Sequence, residues 1–162
     1  TVDVTPGITP IITQVKSGGD FLEILAENGN PPYLYSLDNV NWQTSNIFKN
    51  LSAGIYQIYV KSQTNSCTAV ATSAVLFIPN AFTPNQDGYN DVWRVSNIEF
   101  FSNVKLKIFD KFGIQVFTAE DVLKFNWNGQ YNGRLLPSGT YWYVMEIDGH
   151  YTRTGWILLK NR

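Results

Sequence analysis

Histidine, cysteine and methionine are almost missing from this chain, with one of each among its 162 residues. A single histidine leaves Ser/His/Asp or Cys/His catalysis one possible base, His150. It stands in an Asp-Gly-His-Tyr turn, where a surface turn residue is the simple reading. The single cysteine, Cys67, cannot form an internal disulfide. No base or cation stands beside it to activate a thiolate, so it reads as a small, partly buried residue near a strand end. No HExxH, CxxC, phosphate-binding loop or nucleophile elbow occurs. Charge is also sparse, at 15% of residues and a formal net of −1. The lysines and arginines form no run or face, so nucleic acid is not an expected partner. The carboxylates Glu99, Asp110, Glu120, Asp121 and Glu146 fall at strand ends or turns, where solvated charges belong, and nothing marks a glycosidase pair. No catalytic residue is expected. No apolar run approaches the ~20 residues of a membrane helix. A basic-then-apolar leader is lacking and the first residue is Thr1, so the chain is expected to be a piece of a longer protein whose N-terminal targeting lies elsewhere.

What is abundant is aromatic and hydrophobic: 15% and 44% of residues, enough for a buried core. Turn formers divide the chain into short β-like runs. These are FLEILA (21–26), YLYSLD (33–38), a short NWQ/NIF stretch, GIYQIYVKS (54–62) and CTAVATSAVLFI (67–78). In 103–109, Val104, Leu106 and Ile108 alternate with Lys105 and Lys107, as in a half-buried strand. The DKFG turn (110–113) returns the chain into IQVF, making the clearest hairpin. TYWYVMEI (140–147), the 148–150 turn and a last strand near TGWILLK follow. AEDVLKF (119–125) alone reads as a turn or two of helix.

NLSAGIYQIYV (50–60) and RLLPSGTYWYVM (134–145) echo one another: Leu, two small residues, Gly, a β-branched residue, Tyr. The fold expected is all-β, with two consecutive immunoglobulin-like antiparallel β-sandwich domains over 1–77 and 78–162.

Two groups remain as candidates for chemistry. The tryptophans 42, 93, 127, 142 and 156 could form a sugar platform, but two small cores account for them better. In 140–147, Tyr141, Tyr143, Met145 and Ile147 share one face, and Trp142, Val144 and Glu146 share the other. Both faces are partly apolar, so one is open to a neighbour or a partner. The loop FTPNQDGYND (82–91) gathers Asn85, Asp87, Asn90 and Asp91 around Gly88, an oxygen set of the kind calcium takes. It is not an EF-hand, because the ligand order differs and no closing Glu follows. A self-capped Asx-rich turn explains the same residues without a metal.

IPNAFTPNQDGYNDVWRV (78–95) resembles the opening of the gliding-motility-associated C-terminal domain, the type B sorting domain of type 9 secretion. That family runs close to P-N-A-F-T-P-N-G-D-G-x-N-D, with an aromatic two residues on. Gln86 stands where the family has Gly. NVKLKIFDKFGIQVF resembles the family's hairpin, and FNWNGQYNGRLLPSGTYWYVMEIDG resembles its W-D-G … L-P-x-G-T-Y-x-Y segment, with Asn128 for the Asp. Residues 1–77 are similar to the repeats of the large gliding adhesin SprB, through PYLYSLDN, FKNLSAGIYQIYV and Cys67.

The resemblance implies the C-terminal part of a cell-surface, adhesin-like protein. Its last domain would be a folded, non-enzymatic export signal, serving gliding motility. Implied partners are the type 9 translocon and an outer-membrane barrel of the PorP/SprF type, with no membrane span of the chain's own. Trp156, Ile157, Leu158, Leu159, Lys160 and Arg162 are the candidate partner-facing residues, with the 82–91 loop as a further partner-facing or organising element. No cofactor is expected, save calcium if the loop binds it. The alternatives are a carbohydrate-binding or adhesive module, or an accessory domain of a secreted hydrolase.

Overall fold

The computed structural model describes residues 7–121, 124–149 and 151–161. They form two compact units that part between Val75 and Leu76. The run 67–78 reads as one β-like stretch, and the structure divides it. Its strand stops at Val75, while Leu76 is buried in the second core.

The first unit contains β1 (Ile11–Ser17), β2 (Leu22–Glu27), β3 (Tyr33–Ser36), β4 (Ile47–Phe48), β5 (Gly54–Ser62) and β6 (Thr68–Val75). One sheet has the order β1-β2-β4 and the other β3-β5-β6. Leu22 and Ile24 from the first sheet meet Tyr35, Ile58, Val60 and Val75 from the second in one core, which is the definition of a sandwich. Side chains alternate along β5: Ile58 and Val60 are fully buried and Ile55 is exposed. β1 was not expected. It is an edge strand with a register shift between Ile12 and Gln14 and only Ser17 fully buried, so it lacks a clean period of two. After β3, Asp38 organises the chain through the N–H groups of Val40 and Asn41 and the Ser36 hydroxyl. The Asn41 side-chain amide, then these groups, hold its carboxyl well below the usual carboxylate range.

The second unit contains β7 (Ala81–Phe82), β8 (Trp93–Arg94), a 3-10 turn (Ile98–Phe100), β9 (Val104–Phe109), β10 (Gln115–Ala119), β11 (Asn126–Trp127), β12 (Gln130–Tyr131), β13 (Arg134–Leu135), β14 (Gly139–Ile147) and β15 (Tyr151–Leu159). A five-stranded sheet of order β10-β9-β14-β15-β7 carries the core on one face, and β11-β8 and β12-β13 form separate pairs. Trp93 and Trp127, from β8 and β11, are fully buried in the cluster with Leu106, Ile108, Met145 and Leu159. The sheet is antiparallel except for the short parallel pairing of β7 with β15. The hairpin of β9 and β10 closes through Gly113 at φ +80°, with Asp110 accepting N–H groups of Phe112 and Ile114. The expected helical turn at 119–125 falls partly outside the described residues. Ala119 belongs to β10, and Phe125 is buried in the core.

The sequence echo has a structural meaning. Tyr56 Oη–H donates to the Ser52 carbonyl at 2.7 Å, and Tyr141 Oη–H donates to the Pro137 carbonyl at 2.8 Å. In both units the tyrosine is the third residue of a nine-residue strand beginning at glycine, bonded four residues back. This is the tyrosine corner of immunoglobulin-like sandwiches, present twice. Burial, then the Asp110 carboxylate, raise the Tyr141 hydroxyl above its ordinary value, so it stays a donor.

Candidate docking surface and signature loop

The 82–91 loop closes on itself. The Thr83 N–H donates to the Asn90 carbonyl at 2.8 Å, joining the loop's two ends. Asp91 accepts the Gln86 N–H on Oδ1 at 2.6 Å and the Gly88 N–H on Oδ2 at 2.8 Å. Asp87 accepts the Tyr89 N–H on Oδ1 at 2.8 Å and the Asn85 amide on Oδ2 at 2.7 Å. Asn85 Oδ1 in turn accepts the Asp87 N–H at 3.2 Å. Asn90 contributes its backbone, at φ +52°. Each carboxylate oxygen of the loop thus accepts an N–H group of the loop itself. This geometry supports the self-capped turn. Gln86 has φ +63°, the left-handed region, which gives a physical reason for glycine at the corresponding place in the resembled motif.

The residues around the loop tie the motif to the rest of the unit. Phe82 is buried and its ring lies 5.2 Å from that of Trp127. The Trp93 indole N–H donates to the Pro79 carbonyl at 2.6 Å. β15 then takes the motif as its edge partner: Leu158 N–H donates to Asn80 O at 2.8 Å and Lys160 N–H to Phe82 O at 3.1 Å. Beside the loop lies an open cleft of about 650 Å³, which Gln86, Asp91, Val92, Asn128 and Leu135 help to line.

Calcium addition is expected to leave the melting temperature of the chain where chelator leaves it. Asp91→Ala should lower stability by about 1–2 kcal/mol through two orphaned N–H groups. A rise in melting temperature with calcium in the wild type, lost in Asp87→Ala, would instead establish a metal site.

The six candidate partner-facing residues separate by face. Ile157 and Leu159 are wholly buried, so assigning them to a partner is corrected: they are core. Alternation along β15 turns them inward and turns Trp156 and Leu158 outward, at 48% and 40% exposed. Lys160 is exposed just beyond the strand. Arg162 and His150 lie outside the described residues. Trp142, 52% exposed, is the direct cross-strand neighbour of Trp156. That pairing was hidden in the sequence, where the two are fourteen residues apart, until the register of the hairpin is known.

The other candidates are dispersed. Trp93 and Trp127 fill the core as expected, but Trp142 and Trp156 do not, because a two-layer sandwich leaves one face of each sheet wet. Trp42 carries the Lys61 ammonium 3.9 Å above its ring. Cys67 is half-buried, with Sγ 3.6 Å from the Gly7 carbonyl. Glu99 is in the 3-10 turn, Asp110 caps a hairpin, Asp121 pairs with Lys124 at 3.7 Å and Glu146 is exposed on β14. Among the described residues no helix is long and apolar enough to cross a membrane.

No curated protein matches the chain. A solved chain titled "Biofilm associated protein - BSP domain" superposes over 96% of this chain and 30% of its own length, at 14% identity and a TM-score of 0.35. The chain therefore spans less than a third of that protein, and the likeness carries no functional argument. Residues 76–159, more than half of the chain, match the CHU_C type IX secretion signal domain. Those residues include the self-capped loop, the stapled β7 and the β14–β15 hairpin, and through them the chain belongs to the type IX secretion signal domain family.

Proposed function

We propose that the chain is part of an adhesin-like surface protein in which the first unit is an adhesive repeat and the second is a folded export signal. Family membership itself makes this a protein exported to the cell surface by type IX secretion. The finer reading has the second unit delivering its cargo across the outer membrane, where a barrel of the PorP/SprF type holds it, in the service of gliding motility. The role is non-enzymatic and needs no cofactor. The observation that carries the reading is how the motif is used. Its loop caps itself, its Phe82 and Trp93 anchor the core, and its backbone edges β15, so the motif is built for a fixed shape. The duplicated tyrosine corner supports a first unit of the same repeat-forming kind.

Fusing residues 76–162 to a fluorescent protein, with and without residues 1–75, in a host with type IX secretion tests this. Surface fluorescence is expected from both fusions, and retention of both in the periplasm would overturn the reading. The half-exposed Trp142 and Trp156 favour one second reading, a glycan-binding module. A glycan screen with tryptophan-dependent binding would select it.

A further inference from the structure

The outward face of the five-stranded sheet carries more apolar surface than a solvated sheet face needs. Register places Trp142 directly between Trp156 on β15 and Phe109 on β9, with Leu158 one pair further along and opposite Thr140. Val144 continues the stripe between Lys107 and Thr154. Two tryptophans about half in water, on the sheet's longest hairpin, form a patch of the composition found at the centre of protein interfaces.

Charge on this face is asymmetric. Lys105 and Lys107 flank it on β9 and Lys160 stands at its end, while among the described residues of these strands' outward positions the one carboxylate is Glu146, opposite Lys105. The chain as a whole carries a formal −1, so the face is a local positive rim around an apolar centre. A complementary surface is apolar with carboxylates around it. The neighbours of the tryptophan pair are Phe109, Val144 and Leu158, not the amides and carboxylates that hydrogen-bond a sugar. An anionic lipid surface would meet the same lysines, and the vesicle measurement below separates it from a protein. The C-terminal end of β15 is already edged by β7, so backbone pairing is taken there and side chains are what a partner can read.

We propose that this face, centred on Trp142 and Trp156 and rimmed by Lys105, Lys107 and Lys160, docks the secretion signal domain onto an apolar, carboxylate-rimmed surface of a protein of the type IX apparatus. The assignment rests on the export reading above.

The test fuses the whole chain to a fluorescent protein in a host with type IX secretion and measures the fraction delivered to the surface. Trp142→Thr/Trp156→Thr is expected to reduce delivery about tenfold or more while the purified chain keeps its melting temperature. Lys107→Glu/Lys160→Glu, a change confined to exposed side chains with no carboxylate directly opposite, should reduce it several-fold, and it decides the matter alone if the tryptophan variant does not fold. Ile55→Thr/Val70→Thr, exposed in the first unit, should export as the wild type does. Folded face variants delivered at the wild-type level would overturn the docking face and leave the export reading standing. A wild-type fusion held in the periplasm would remove both. Binding of the purified chain to phosphatidylglycerol vesicles, or to a glycan, that the tryptophan variant loses would also overturn the proposal, by giving the face to a lipid or a sugar.

Discussion

Trp127→Ala should cost the second unit about 3–5 kcal/mol, the range for removing a buried large aromatic. The indole is 1% exposed, and its ring centroid lies 5.2 Å from those of Phe82 and Tyr141 and 6.5 Å from that of Phe117. Its N–H donates to the Gln130 carbonyl, so the substitution also orphans an acceptor at the base of the β12–β13 pair. The surrounding strands are fixed by sheet bonding and cannot collapse into the space. Domains of this size hold about 5–15 kcal/mol in all, so the variant should sit near the edge of folding. Hydrogen exchange reads the two units apart: amides of β14 should lose protection while those of β5 keep theirs. Unchanged protection in β14 would mean that the aromatic cluster is not what holds the unit together.

Leu159→Ala should cost about 2–5 kcal/mol, against a change within about 0.5 kcal/mol for its neighbour Lys160→Ala. The contrast follows from alternation: Leu159 is wholly buried and Lys160 is exposed. Leu159 also fills a notch that only glycine leaves open. Gly129 has φ +74°, and a Cβ there would stand 2.6 Å from Leu159 Cδ1. The Asn-Gly of the NWNGQ segment and the penultimate part of the chain are thus two halves of one contact. Comparable losses for Leu159→Ala and Lys160→Ala, measured by chemical denaturation, would return the last strand to the status of a tail read as a whole. Trp156→Ala, by contrast, should change stability little, because its ring is half in water already.

Strands whose faces differ in polarity were legible from the sequence. Val104, Leu106 and Ile108 are buried and Lys105 and Lys107 exposed, as their alternation requires. Tyr141, Tyr143, Met145 and Ile147 are likewise all inward. Two-residue strands such as β8, β11, β12 and β13 were not legible, since two residues carry no period. Nor was the sidedness of β15, where Trp-Ile-Leu-Leu is apolar at every position, so only burial tells core from surface. In the signature loop the composition alone admitted both a metal and a turn. The N–H groups of Gln86, Gly88 and Tyr89 directed at Asp91 and Asp87 show how the turn caps itself, and direction is what composition does not contain.

The parallel pairing of β7 with β15 has a mechanical side. Force applied to a folded chain passes along its backbone, and here the chain enters the second unit just before β7. A pull applied between Leu76 and the C-terminal end of β15 runs along these two strands in opposite senses. The bonds from Leu158 to Asn80 and from Lys160 to Phe82 lie across that pull, so they are strained together rather than peeled one after the other. The motif that marks the domain is also the clasp through which tension would have to pass.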